Sequence, residues 1–342
     1  MPSWIKRWLP GAQSNLQIAI ALRQGRVNFA VCKLAKKSVQ NEAAQPRLIV
    51  NDEQQVEQNN YAHAIEILLA RYPRLNLKGA RAQVVLGPRL VQQTTIDRPQ
   101  LSEAELQQAL PWSLKDLIDI PPADLIADYY DPAIQIAGRD KLHVVAVQKS
   151  WLSKVLQPLL SARIDIDGVV NEDLAMCSLL DAQHPPLMLV SQYAQQQAQL
   201  LLIKHRALVV SRQLKPLQSV VDQSELDTYE IESLAIELQR STDYFSGQLR
   251  QAPLQHVYLA FPGTHVHELC EQLGQSLSLL TEPLVYPDWA AELAAGDHSD
   301  LGVLAGLAYM VPGLAGQLAA PETGSHPQDE LASTQTNAGS RL

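Results

Sequence analysis

Three groups of side chains in this sequence have the types and spacing for chemistry. Asp165-Ile-Asp167-Gly168 places a nucleophile-type aspartate two residues before an acid/base-type aspartate and a glycine. Asp297 and Asp300 would add magnesium carboxylates, and Ser211 and Lys215 lie between the two clusters. Together they are the parts list for phosphoryl transfer through an aspartyl intermediate. His267, Cys270 and Glu271 fall at i, i+3 and i+4, so one helix face would carry three metal-binding types. The surroundings oppose both readings. Asp165 follows a helix-like end, Leu159-Leu-Ser-Ala-Arg163, instead of capping an apolar strand, and Asp297 follows the helix-like Ala290–Ala295. The plain alternative is a short edge strand and a helix start with aspartates in its first turn. A structural zinc needs four ligands and no second cluster has matching spacing, so no metal is expected. No GxSxG, HExxH, GxGxxG or Walker A pattern occurs.

Composition narrows the classes further. The sequence has 342 residues, beyond the size at which one core usually stops growing, so two packed units are expected. Lys+Arg number 27 and Asp+Glu 36, a net charge of −9, which opposes sequence-independent nucleic-acid binding. The 16 glycines are about 5% of the chain, against a usual 7%. Phosphate-cradling loops consume glycines, because backbone N–H groups must approach the phosphate unobstructed. Cys32, Cys177 and Cys270 are far apart and odd in number, which reads as reduced, buried thiols of a cytosolic protein.

These side chains must be positioned by elements that the hydrophobic pattern outlines. Strand-like runs cover residues 16–22, 26–33, 48–50 and 82–86, with a hairpin turn at Arg23-Gln24-Gly25 and a helix over 61–71. Ser102 and Glu105 form a capping box that opens a helix with Pro111 inside it. Strands follow at 125–130 and 142–147, a helix at 151–160, a strand at 164–170 and a helix at 172–180. After His184-Pro185-Pro186 come strands at 187–190, 198–203 and 207–211, a long helix at 224–249, then strand 256–260, helix 266–277 and strand 284–286. Both halves open with antiparallel strands and continue with strand–helix alternation, the pattern of two α/β units.

The ends of the chain carry separate expectations. Leu301–Ala320 holds no charged residue, but Pro312-Gly313 cuts it, so it reads as a buried core helix and not a bilayer crossing. Trp4, Ile5, Trp8 and Leu9, beside Lys6 and Arg7, form a candidate anchor for a partner or for peripheral membrane contact. The segment is too short in its apolar part for a signal peptide. From residue 313 the hydrophobic period is lost, and 313–342 is expected to be a disordered tail.

Three passages in combination resemble a family. Glu105-Leu-Gln-Gln-Ala-Leu-Pro-Trp-Ser-Leu-Lys-Asp-Leu-Ile-Asp-Ile-Pro121, closed by Asp128-Tyr129, is similar to a helix–"IP"–"DY" passage of the PilM-like type IV pilus assembly proteins. Val144–Lys149 with Ile166–Ala175, and Ala235–Phe245, are similar to its next elements and to its long second-unit helix. The short hydrophobic-basic N-terminus is most similar to the mannose-sensitive-haemagglutinin (MSHA) branch.

The resemblance implies an actin-like ATPase fold of two α/β units with an inserted small subdomain. Its divisions would be a flexible 1–13, a first unit 14–183 with the insert at about 88–150, a second unit 184–312, and the tail. It implies a cytoplasmic, non-catalytic adaptor at the inner-membrane face. Such an adaptor docks the tail of a PilN-like bitopic inner-membrane protein and so joins the assembly platform and, indirectly, its motor ATPase. The tail would lie in a groove between the first unit and its insert, with Leu110, Trp112, Leu117 and Tyr129 as candidates for its lining. The plain alternative is that Trp112 and Leu117 pack the insert's helix on its own sheet. A cytoplasmic part of a type II secretion platform is the alternative, and a haloacid-dehalogenase-type phosphatase a more distant one.

Family members that bind ATP carry an Asp-Ile-Gly-Ser-like first phosphate loop, a second Asp-x-Gly loop and a glycine-rich adenosine loop. Here the three places read Leu22-Arg23-Gln24-Gly25, Ser191-Gln192 and Pro262-Gly263-Thr264. The aspartates that would hold Mg²⁺ are missing, so ATP is not expected as a cofactor.

Overall fold

The computed structural model describes residues 14–34, 46–135, 140–193, 196–221, 225–293 and 297–316. The elements, in order, begin with β1 (Leu16–Arg23), β2 (Arg26–Lys33), β3 (Arg47–Gln55), α1 (Tyr61–Arg71), β4 (Arg81–Leu86), β5 (Gln92–Asp97) and α2 (Glu103–Ser113). They continue with β6 (Leu125–Tyr130), β7 (Lys141–Gln148), α3 (Lys149–Ser161), β8 (Asp165–Asn171) and α4 (Glu172–Met176). The remainder are β9 (Leu187–Ser191), β10 (Ala198–Lys204), β11 (Ala207–Leu214), α5 (Gln218–Val221), α6 (Thr228–Asp243), β12 (His256–Ala260), α7 (Val266–Leu277), β13 (Leu280–Pro283) and α8 (Leu301–Met310).

The strands form two five-stranded sheets of the same topology, β3-β2-β1-β4-β8 and β11-β10-β9-β12-β13. In each, three antiparallel strands lead into two parallel additions. β1 is buried along its whole length, as a strand covered on both faces must be. Its larger side chains, Ile18, Ile20 and Leu22, pack outward with α1 and α3. Its small ones, Ala19 and Ala21, face inward to α8. β9 alternates likewise: Leu187 and Leu189 point to the central core, and Met188 and Val190 to the core shared with α6 and α7. The layers therefore run helix, sheet, helix, sheet, helix, with α4 and α8 between the sheets.

α8 is apolar on every face, and all of its residues except Tyr309 are buried. Two glycines let it lie close to the first sheet. A Cβ on Gly306 would come within 2.7 Å of Val85 Cγ2, and one on Gly302 within 2.6 Å of Glu172 Oε1. The apolar run read from residue 301 is thus a core helix, and no helix among the described residues is long and apolar enough to cross a membrane.

A third sheet, β5-β7-β6, is antiparallel and inserted between β4 and β8. Leu106, Leu110, Leu114 and Ile118 recur every fourth residue and place α2 and the turns after it on this sheet. The capping box is formed: Ser102 N donates to Glu105 Oε2 at 2.9 Å, and Glu105 N to Ser102 Oγ at 3.4 Å.

Several sequence expectations are corrected. β5 was not anticipated, because Gln92-Gln-Thr-Thr-Ile-Asp97 has almost no apolar residues to alternate. The strand read at 284–286 lies earlier, at β13, and Leu284 N bonds Leu259 O at 2.8 Å as the chain leaves the sheet. The helix read at 224–249 starts at Thr228, where the Asp227 carboxylate accepts from Tyr229 N at 2.8 Å, and closes in a π turn over Tyr244–Gln248. Residues 313–316, assigned to the tail, are packed: Leu314 is buried and Gly316 N bonds Ser178 O at 2.9 Å. The rest of the tail, and Trp4, Ile5, Trp8 and Leu9, lie outside the described residues.

Gly306→Val should destabilise the protein by about 3 kcal/mol, the upper range for overpacking a filled core. Gly247→Ala, at a position with no neighbour within 4 Å, should not. Denaturant melts of the two variants check the close approach of α8.

Candidate functional site

The parallel strands of the two sheets bring their C-terminal ends together, where open α/β sheets bind ligands. Leu22 of β1 pairs with Leu86 of β4, Leu86 with Asn171 of β8, and Ser191 of β9 with Ala260 of β12. Into this meeting point the first hairpin sends Arg23. Its guanidinium is buried and makes three kinds of contact. Nε donates to Glu172 Oε1 at 2.8 Å, and Nη2 donates to the same oxygen. Nη1 donates to Ser299 O at 2.6 Å. Cζ sits 3.4 Å from the centre of the Tyr193 ring, a cation–π contact. Tyr193 OH lies 3.4 Å from Glu172 Oε1, and Tyr61 OH donates to Arg23 O at 3.1 Å. Burial alone would lower the Arg23 pKa, but the Glu172 carboxylate more than offsets this and holds it above the ordinary value.

Two of the three loops compared with phosphate and adenosine loops are thus joined by Arg23. Gln24 and Gly25 form the exposed two-residue turn beyond it, with Gly25 at φ 74°. Ser191 is buried at the end of β9. Gln192 is committed elsewhere: its amide accepts from Leu217 N at 2.8 Å and donates to Leu217 O at 3.2 Å. Pro262, Gly263 and Thr264 follow β12 beside Phe261, which belongs to the outer core, and they do not line the cleft. The remaining space between Arg23, Gly87, Glu172 and Tyr193 is about 40 Å³. Sites that hold small molecules enclose roughly 300–1,000 Å³. The buried carboxylate of Glu172, which lines this space, is already bound to Arg23. These residues do not fit a nucleotide with its magnesium.

Beside Glu172, Asp173 is 2% exposed and ties three parts together. It accepts from Gln93 of β5 at 3.4 Å, from Gln199 of β10 at 3.4 Å, and from Ser211 of β11 at 2.7 Å. Burial pushes its carboxyl up to about 6, against the hydrogen bond from Ser211, which lowers it.

A larger opening lies between the insert and the first unit. This groove, about 710 Å³, runs between β6 and β7 on one side and β8, α4 and α8 on the other. Its apolar lining includes Ile126, Tyr129, Val145, Val169 and Tyr309. Its charged lining is Glu103, Asp128 and Asp131, with no lysine, arginine or histidine.

Of the four residues assigned to a groove from the sequence, only Tyr129 lines this one. Leu110 is 1% exposed, in the core between α2 and the third sheet, because its four-residue spacing with Leu106 and Leu114 faces that sheet. Trp112 and Leu117 are 69% and 55% exposed, and neither lines the groove. Ile126, Val169 and Tyr309 were missed; they come from three elements brought together only by the fold. Asp165 begins β8, at the end of the strand opposite the ligand-binding edge, and the Asp167 carboxylate is held by Arg81. Asp300 accepts from Asn51 and Tyr286, each at 2.7 Å. The phosphatase parts therefore do not converge. Among the described residues no group of His, Cys, Asp or Glu is placed to hold a metal ion; His267 is exposed while Cys270 is buried.

No protein-family model and no curated protein sequence matches the chain. Solved structures do. A PilM–PilN type IV pilus biogenesis complex matches with a TM-score of 0.58 at 17% identity, over 87% of this chain and 98% of that chain. The cytoplasmic domain of EpsL, an inner-membrane component of the type II secretion system of Vibrio cholerae, matches with a TM-score of 0.43 at 15% identity, over 73% of this chain and 83% of that chain. A Bacteroides thetaiotaomicron protein of unknown function with an actin-like ATPase fold gives 0.46 at 10% identity, over 80% of this chain and 91% of that chain. The chain has the actin-like ATPase fold.

Two measurements check the site. Arg23→Met should cost about 3–5 kcal/mol by leaving Glu172 buried and unpaired, and adding Glu172→Met should recover most of the loss; chemical denaturation of single and double variants reads both. For Asp173, a carboxyl that titrates near 6 in the fold and at 3.8 when unfolded binds more protons folded than unfolded between those values. Stability should therefore fall as pH rises from about 4 to about 7, by roughly 3 kcal/mol. Asp173→Asn should flatten that slope in pH-dependent melts.

Proposed function

We propose that this chain is a non-catalytic cytoplasmic adaptor of type IV pilus biogenesis, similar to MshI among the PilM-like proteins. It captures the cytoplasmic tail of a PilN-like bitopic inner-membrane protein, and so works at the inner-membrane face. The observation that carries the reading is the groove between the insert and the first unit. It has the volume for a peptide segment, and apolar walls from β6, β8 and α8. One solved structure with this fold is a PilM–PilN type IV pilus biogenesis complex, which supports a PilN-like protein as the partner. The wholly acidic charge of the lining favours a segment that carries lysine or arginine.

The closed cleft supports the non-catalytic half of the reading. Hydrolysis needs a bound triphosphate and an aligned water, and Arg23 with Tyr193 stands in that volume. The adaptor's work is then done by binding alone.

Calorimetry of the purified protein with Mg·ATP should give no binding heat; a micromolar dissociation constant would overturn the closed-cleft half. A synthetic peptide of the host's PilN-like tail should bind, and its affinity should fall on the order of tenfold between ~50 and ~500 mM salt. Trp112→Ala should leave that affinity and the melting temperature unchanged, because Trp112 lies outside the groove.

A further inference from the structure

The groove contains an unsatisfied donor. Asn171 ends β8 and caps α4, with Oδ1 accepting from Leu174 N at 3.2 Å. That bond fixes which end of the amide is oxygen, since only the oxygen can accept. The other end, Nδ2, is buried and has no hydrogen-bond partner. The residue is only 5% exposed, and it lines the groove. Buried donors of this kind are nearly always paired, because stripping water from one without replacing the bond is unfavourable. Among the described residues no acidic or carbonyl group takes up the amide, which leaves it available to an acceptor from outside.

The lining specifies what supplies it. Around Asn171 the walls are Val169, Val170, Leu174 and Tyr309, with Ile126 across the gap. A small polar solute would leave these surfaces wet. An apolar peptide segment would cover them and present a main-chain carbonyl every residue. The acidic Glu103 and Asp128 select against a negatively charged one.

We propose that Asn171 is the polar anchor of this groove: its amide turns out from beneath the wall as the apolar, positively charged segment binds, and Nδ2 donates to a main-chain carbonyl of that segment. The inference rests on the tail-capture reading above and adds the residue that fixes the segment's position along the groove. Apolar contacts alone let a chain slide; one directed hydrogen bond in a dry site sets its register.

The test uses Asn171→Asp and Asn171→Ser. Both retain an oxygen to cap Leu174 N, and both remove the amide donor. The probe is a fluorescein-labelled synthetic peptide of the host's PilN-like cytoplasmic tail, followed by fluorescence polarisation at about pH 8, where an introduced carboxyl is ionised. Ile126→Asp serves as the groove-blocking control, since Ile126 is 41% exposed and lines the opposite wall. Expected is a loss of affinity of about tenfold or more in both Asn171 variants, with a melting transition retained in at least one of them, and a similar loss in Ile126→Asp. If Ile126→Asp abolishes binding while the Asn171 variants bind as the wild type does, the groove stands and the anchor is overturned. If none of the three changes binding, or if the wild type binds no peptide, tail capture in this groove is itself wrong and the anchor falls with it. If both Asn171 variants fail to melt cooperatively, Asn171 is a folding residue and the anchor is likewise overturned.

Discussion

A guanidinium removed from water must be neutralised where it lies, and this fold closes around that requirement. The partners of Arg23 come from different parts of the chain: Glu172 from the first turn of α4, Tyr193 from the segment after β9, Ser299 from the turn before α8. One side chain of the first hairpin therefore draws on both sheets and on the central helix at once. The desolvation of two charges is offset only if geometry and hydrogen bonds are nearly complete, and here the bonds around Arg23 are supplied by residues that the surrounding core holds still. Gly302 follows from the same requirement. A Cβ there would come within 2.8 Å of Arg23 Nη2 as well as close to Glu172, so a side chain at this position would disturb both the ion pair and the close approach of α8.

Three consecutive residues at the corner between β8 and α4 distribute this constraint. Asn171 faces the groove, Glu172 holds Arg23, and Asp173 bonds side chains of β5, β10 and β11. The end of a strand followed at once by a helix can do this because successive side chains leave the backbone in very different directions. Asn171 is the N-cap of α4, and Glu172 and Asp173 lie in its first turn, where backbone N–H groups are unpaired and favour acceptors. The corner thus joins the insert, the closed cleft and the second sheet.

Most of the fold was legible in the sequence. β1, β2, β9 and β10 are runs dominated by apolar residues, α1 and α7 have a helical period, and the Ser102–Glu105 box marks the start of α2. What escaped did so for local reasons. β5 is held by pairing to β7, not by its own side chains. Trp112 looks like an anchor in a list of residues, yet the period that buries Leu106, Leu110 and Leu114 turns it outward. The missing aspartates and glycines of the three loops were visible, but not their replacement, because the partner of Arg23 is 149 residues away. Nothing in a linear pattern marks a buried ion pair of that separation.

The glycine shortage takes on a different meaning once the glycines are located. Those retained near the cleft clear space for the protein's own atoms. Gly87 admits Arg23 Cγ and Leu22 O, each of which would lie 3.1 Å from an added Cβ, and Gly302 admits the ion pair itself. In a nucleotide site such gaps are left open for a phosphate and filled only when the ligand arrives, so the state of the cleft follows ligand concentration. Here the filler is covalently part of the chain, and its effective concentration never changes. A ligand shifts a conformational equilibrium only through a difference in affinity between states; a permanent occupant holds one state. Under the adaptor reading proposed above, a frame closed in this way would present the same groove at every nucleotide level, as a fixed docking position requires.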